Sequence, residues 1–60
     1  MTVKELVKCC YDTIIIYRLL NEDFEDLYKG KKEDLPKYLL ESDVKCFGAK
    51  KSGVLEIEIK

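Results

Sequence analysis

The side chains with the most chemistry to offer are Cys9 and Cys10, neighbours in a 60-residue chain that holds a third cysteine, Cys46, and no histidine. A thiol becomes a nucleophile when a nearby base or the N-terminal end of a helix stabilises its thiolate. No imidazole is present, and the pair falls at the C-terminal end of an expected helix, where the dipole disfavours an anion. Neighbouring cysteines do not easily bridge each other, three leave an odd count, and no C-x-x-C pair offers zinc a ligand set. Cys10 and Cys46 read as small core residues, while Cys9 flanks the apolar stripe and can meet its counterpart across a dimer. Carboxylates are plentiful, yet none has the glycine-rich or aromatic setting of a catalytic cleft. The reading is a non-enzymatic protein with no catalytic residue, no metal site and no cofactor.

Two charged groups are better suited to binding. Glu22, Asp23, Phe24, Glu25 and Asp26 crowd one stretch, which reads either as a phosphate mimic aimed at the nucleic-acid channel of a target or as a solvated hairpin loop. A calcium loop is excluded, because Asp26 stands where such a loop needs glycine and no acidic ligand follows at its twelfth position. Lys29, Lys31 and Lys32, with Lys50 and Lys51 on a second turn, converge on a phosphate-bearing ligand if both turns lie at one end of a sheet. Tyr28 or Tyr38 would then stack on a base. The alternative is that these lysines serve solubility. Arg18, alone on a mostly apolar strand, is expected to pair with a carboxylate.

The elements that must position these groups follow from periodicity. Thr2 and Glu5 form a capping box, and Val3, Leu6, Val7 and Cys10 make one apolar stripe, so residues 2–10 are expected to be a short helix. Residues 13–20 are β-branched and apolar on both alternating sets, the pattern of a central strand or of one whose second face is an interface. Turn formers at 21–23 precede a more polar strand at 25–30, whose register is open. Asp34 and Pro36 mark a second short helix that carries Leu35 and Leu39 inward. Residues 44–49 and 54–59 read as a hairpin, the latter alternating Leu55, Ile57 and Ile59 with Glu56 and Glu58. The expected fold is a single α+β domain over residues 1–60, a four-stranded mainly antiparallel sheet with two short helices on one face, in the order α-β-β-α-β-β.

A chain this short buries only about 60% of the surface its unfolded form exposes, so its stability should be marginal, and self-association is the expected remedy. Eleven basic and twelve acidic residues leave a net charge of −1, which argues against bulk attraction to nucleic acid or an anionic membrane. No apolar run approaches a membrane span and nothing at the start resembles a secretory signal, so a cytoplasmic location is expected.

The opening Thr2-Val3-Lys4-Glu5-Leu6, the Asp12-Thr13 step into Ile14-Ile15-Ile16-Tyr17, Tyr28-Lys29-Gly30, Asp34-Leu35-Pro36 with Leu39-Leu40, and the closing Gly53 to Ile59 alternation together resemble very small proteins encoded by phages and prophages of Firmicutes. The resemblance spans nearly the whole chain and implies a compact α+β fold. It also implies anti-defence activity, exerted by binding a host protein or by sequestering a signalling nucleotide. The leading expectation is a homo-oligomeric inhibitor of a host defence-system protein. The alternatives are an oligomeric sponge for a nucleotide signal and a weak nucleic-acid-binding accessory protein.

Overall fold

Ile14, Ile16, Leu55 and Ile57, each at most 1% exposed, form the centre of the molecule. They come from two strands of alternating pattern laid side by side, which brings their apolar faces into one layer. The computed structural model describes residues 1–8 and 12–60. Its elements are α1 (Val3–Leu6), β1 (Thr13–Leu20), β2 (Asp23–Lys31), a single 3-10 turn (Lys32–Asp34), α2 (Lys37–Leu40), β3 (Val44–Lys51) and β4 (Val54–Ile59). The strands form one sheet in the order β2-β1-β4-β3. Both hairpins, β1 with β2 and β3 with β4, are antiparallel. The central pair is parallel, with Ile14 beside Leu55 and Ile16 beside Ile57. The sheet is therefore mixed, and the parallel contact is a feature that neither hairpin pattern announces.

Val3 and Leu6 from α1, with Leu35 and Leu39 before and within α2, join the β1 and β4 residues in a single core cluster. The Thr2 hydroxyl accepts from the Glu5 amide and the Glu5 carboxylate accepts from the Thr2 amide, so the capping box forms. The Thr2 amide and then the Thr2 hydroxyl, donating to Glu5 Oε1 at 3.0 and 3.1 Å, hold the Glu5 carboxyl below the usual carboxylate range. The chain start is tied down by two further bonds, Val3 N–H to the Ser42 carbonyl (3.0 Å) and Val44 N–H to the Met1 carbonyl (2.8 Å).

Several boundaries differ from those the sequence suggests. α1 stops at Leu6, with Val7 as its C-cap, and Cys9 and Cys10, the expected end of the helix with its flanking and core thiols, lie outside the described residues. The acidic stretch is not a hairpin loop. Asn21 and Glu22 alone make the turn, both at positive φ (51° and 71°), and Asp23 begins β2. Two consecutive left-handed residues are what a two-residue hairpin of the twist-matching kind requires. Lys50 and Lys51 likewise belong to β3 rather than to a turn, which shrinks to Ser52 and Gly53, the latter at φ 78°. Lys32–Asp34 winds into a 3-10 turn.

Two substitutions test this account. Ile57→Asp places a carboxylate in the fully buried central layer and should unfold the domain in circular dichroism, since an uncompensated buried charge costs more than a small domain's whole stability of about 5 kcal/mol. Glu22→Gly relieves a left-handed non-glycine residue in an exposed turn and should stabilise the fold by roughly 1 kcal/mol in urea titration, because glycine takes positive φ without steric penalty.

Candidate functional site

The alternation that sends Ile14 and Ile16 into the core sends Thr13, Ile15, Tyr17 and Leu19 to the opposite face of the sheet. On this open face the pairing register sets the neighbours in rows. Lys31 lies beside Thr13, Lys29 beside Ile15, Asp26 beside Tyr17 and Phe24 beside Leu19. Across β1, Val54 lies beside Thr13, Glu56 beside Ile15 and Glu58 beside Tyr17. The result is an apolar strip along β1 with cations towards one end and carboxylates towards the middle and the other.

Irregularities in the ladder build this distribution. Between Ile16 and Tyr17 the register with β2 shifts by one residue, leaving Leu27 as the extra one. Such a bulge lets adjacent residues share a face, and both Leu27 and Tyr28 pack against the core. Beyond it the alternation is reset, so Asp26 and Phe24 face outward beside Tyr17 and Leu19. The ring of Phe24 meets that of Tyr17 edge to face at 5.3 Å. A second shift, between Ala49 and Lys51, makes Lys50 the extra residue of β3 and places both Lys50 and Lys51 over the open face.

Lys29, Lys50 and Lys51 converge there around a depression of about 290 Å³ whose floor is Thr13, Ile15 and Val54. Lysines from two strands at opposite edges of the sheet thus meet above its central pair. Among the described residues, Lys50 approaches Glu56 at 3.9 Å, while Lys29 and Lys51 have no carboxylate within ion-pair distance. A neighbouring depression of about 310 Å³ is lined by Tyr17, Phe24, Asp26 and Glu56. Burial and then the carboxylates of Glu56 and Glu58 push the Tyr17 phenol up.

The other expected binding residues are placed elsewhere. Lys31 faces outward at the rim beside Thr13, and Lys32 sits in the 3-10 turn. The Tyr28 ring packs on the core side and its hydroxyl donates to the Lys31 carbonyl at 2.6 Å. Tyr38 is exposed on α2, so neither tyrosine lines the lysine depression. Glu22 is in the turn, Asp23 opens β2, and Glu25 lies beside Arg18 on the face that carries Ile14 and Ile16, where it accepts from Arg18 at 2.8 Å. That pair is the one expected for Arg18. Strand alternation thus divides the acidic stretch between two faces, and only Phe24 and Asp26 of its members belong to the open one. Thr13, Ile15 and Val54, which form the floor, carried one legible signal, the second apolar set of residues 13–20.

Cys46 is exposed rather than buried, because β3 is an edge strand and Cys46 faces outward beside Glu58. Its thiol donates to Glu58 Oε1 at 3.3 Å, and Lys45 holds the other carboxylate oxygen at 3.3 Å. Hydrogen bonding to Glu58, then desolvation, raises the thiol's pKa, so the thiolate is disfavoured. Among the described residues, no cluster of histidine, cysteine and acidic side chains is disposed to hold a metal ion, and no helix is long and apolar enough to cross a membrane. Comparison with protein-family models, curated proteins and solved structures gives no significant match.

Cys46 should alkylate with iodoacetamide more slowly at pH 8 than a free model thiol, despite its exposure. Glu58→Gln should accelerate it, as read on the Cys46 peptide by mass spectrometry. An unchanged rate would show that the carboxylate does not control the thiol.

Proposed function

We propose that the protein acts by binding rather than by turnover, and that the lysine-lined end of its open face captures the phosphate groups of a small ligand, a nucleotide. The observation that carries this reading is the convergence of Lys29, Lys50 and Lys51 over a shared apolar floor in a chain whose overall charge is slightly negative. Cations gathered in a depression focus field in a way that scattered surface charge does not. The Thr13 side chain adds a hydroxyl, and the aliphatic side chains of Ile15 and Val54 suit the uncharged part of a ligand. Because Tyr28 and Tyr38 are not at this depression, no tyrosine among the expected ones stacks on a base. Recognition then falls on the phosphates, with little discrimination between bases.

A second reading is direct inhibition of a host defence-system protein in the cytoplasm, as the resemblance to small phage proteins implies. It is favoured by Phe24, 67% exposed at the carboxylate-bearing end beside Asp26 and the acidic turn. An aromatic ring rimmed by acidic groups is a fitting anchor for a basic protein surface. In both readings the two helices cover one side and leave the other for recognition. The single core cluster that both helices share supports that arrangement.

Calorimetric titration separates the readings. Nucleotide capture predicts heat with ATP, weaker heat with AMP, near-equal affinities for ATP and GTP, and weakening as salt rises. Lys51→Glu should reduce ATP affinity by about tenfold, the scale of one lost charge-assisted contact. Absence of heat with every nucleotide at low salt would remove this reading and leave the protein-binding one.

A further inference from the structure

The open face has a symmetry of its own that points to what covers it. Its rows are Lys31/Thr13, Lys29/Ile15, Asp26/Tyr17 and Phe24/Leu19, running along β2 and β1. Reversing the strand direction about the level of Ile16 exchanges the Ile15 row with the Tyr17 row and the Thr13 row with the Leu19 row. Lysine then meets aspartate, Ile15 meets the Tyr17 ring, and Lys31 meets the Phe24 ring. Such a pattern is self-complementary under a two-fold axis lying in the plane of the face and crossing the strands, the condition for an interface between identical copies.

We infer that a second copy of this chain covers the open face, its strands running opposite to those of the first, with Lys29 of each copy on Asp26 of the other. The apolar strip supplies the attraction. Leu19 is 47% and Phe24 67% exposed, and Ile15 and Tyr17 are half-buried, so a patch beyond scattered single side chains is left to water. The charges supply the orientation. Asp26, like Lys29, has no ion-pair partner among the described residues, whereas Glu56 and Glu58 are approached by Lys50 and Lys45 of their own chain. Where Glu56 and Glu58 come to face each other across the axis, those lysines offset the like charge. Lys31 over the Phe24 ring adds a cation-π contact.

Size sets the strength. Four strands about 4.8 Å apart and six residues of about 3.3 Å give a projected face of roughly 400 Å² per copy. The total lies below the standard specific interface, so association in the micromolar range or weaker is expected. This proposal does not rest on nucleotide binding; because the second copy engages Lys29, it and a nucleotide would compete for the lysine-lined end of the open face, and each is measured in the absence of the other.

The test is a charge-swap cycle by sedimentation equilibrium of the full chain, in buffer free of phosphate and nucleotide, from about 1 μM to 1 mM, the range in which an interface of this size associates. Lys29 and Asp26 are exposed, and circular dichroism confirms that each variant folds. Lys29→Glu and Asp26→Lys should each weaken self-association by about tenfold or more, since each places like charges opposite one another twice per dimer. The double reversal should restore it, as should mixing the two single variants, which re-pairs every contact. The double variant still lacks a lysine in the depression, so loss of ATP binding and loss of dimerisation are read separately. A monomer at all concentrations overturns the proposal. So does association that ignores both reversals, as pairing through the exposed edge of β3 would, or a double reversal that fails to restore it.

Discussion

Everything in this molecule is arranged around the parallel contact between β1 and β4, in which Ile14 and Ile16 lie against Leu55 and Ile57. Each hairpin taken alone is a two-stranded ribbon with one apolar edge, and such ribbons are marginal in water. Laying them side by side joins their apolar faces into a four-stranded layer whose core cluster takes in Val3, Leu6, Leu35 and Leu39. Burial of these four side chains contributes about 1.5–3 kcal/mol each before conformational entropy is set against it. That scale exceeds what a part-buried surface ion pair such as Arg18–Glu25 contributes. The same parallel contact spreads the sheet's second face across both hairpins, and so produces the surface on which the lysines and carboxylates meet.

The construction of that surface depends on breaks in regularity. An unbroken β2 would alternate from Tyr28 to Asp26 to Phe24 on the core side, setting Asp26 beside Arg18 and sending Leu27 to the open face beside Tyr17. The bulge at Leu27 reverses the outcome, adding a leucine to the core and releasing Asp26 and Phe24 to the open face. On β3, the bulge at Lys50 lets two consecutive lysines stand over the same face. A bulge costs local hydrogen bonding and is tolerated most readily at sheet edges, and both strands that carry them are edge strands. The middle strands, which carry the core, are paired with each other in unbroken register.

The electrostatic pattern follows from the same geometry. Glu58 and Glu56 alternate with the core residues of β4 and therefore face outward, within reach of Lys45 and Lys50 on the edge beside them. Lys29, Lys51 and Asp26 are left without such partners among the described residues, one acidic and two basic groups on a surface with an apolar centre. Unpaired charges at the margins of an apolar strip do little for the stability of a single copy. On an open face, charges of this kind can orient an approaching ligand or partner, and the proposed binding readings rest on that capacity.

Much of the local structure could be read from the residues alone. The Thr2-Glu5 capping box, the Leu55-Ile57-Ile59 alternation and the β-branched run from Thr13 follow from side-chain shape, hydrogen-bonding capacity and a period of two. Those are properties of a short segment, and they needed no knowledge of what lay beyond it. The two apolar sets of residues 13–20 marked that strand as central or as bearing an interface on its second face, and β1 lies inside the sheet between β2 and β4. What the residues did not reveal was which strands lie in parallel, where the ladder slips, and hence on which face each charge stands. A one-residue slip inverts every side chain beyond it, and the slips at Leu27 on β2 and at Lys45 and Lys50 on β3 are set by how those segments fit the strands beside them. The lysine depression, the division of the acidic stretch and the exposure of Cys46 are all consequences of that fit, so they came into existence only with the assembled sheet.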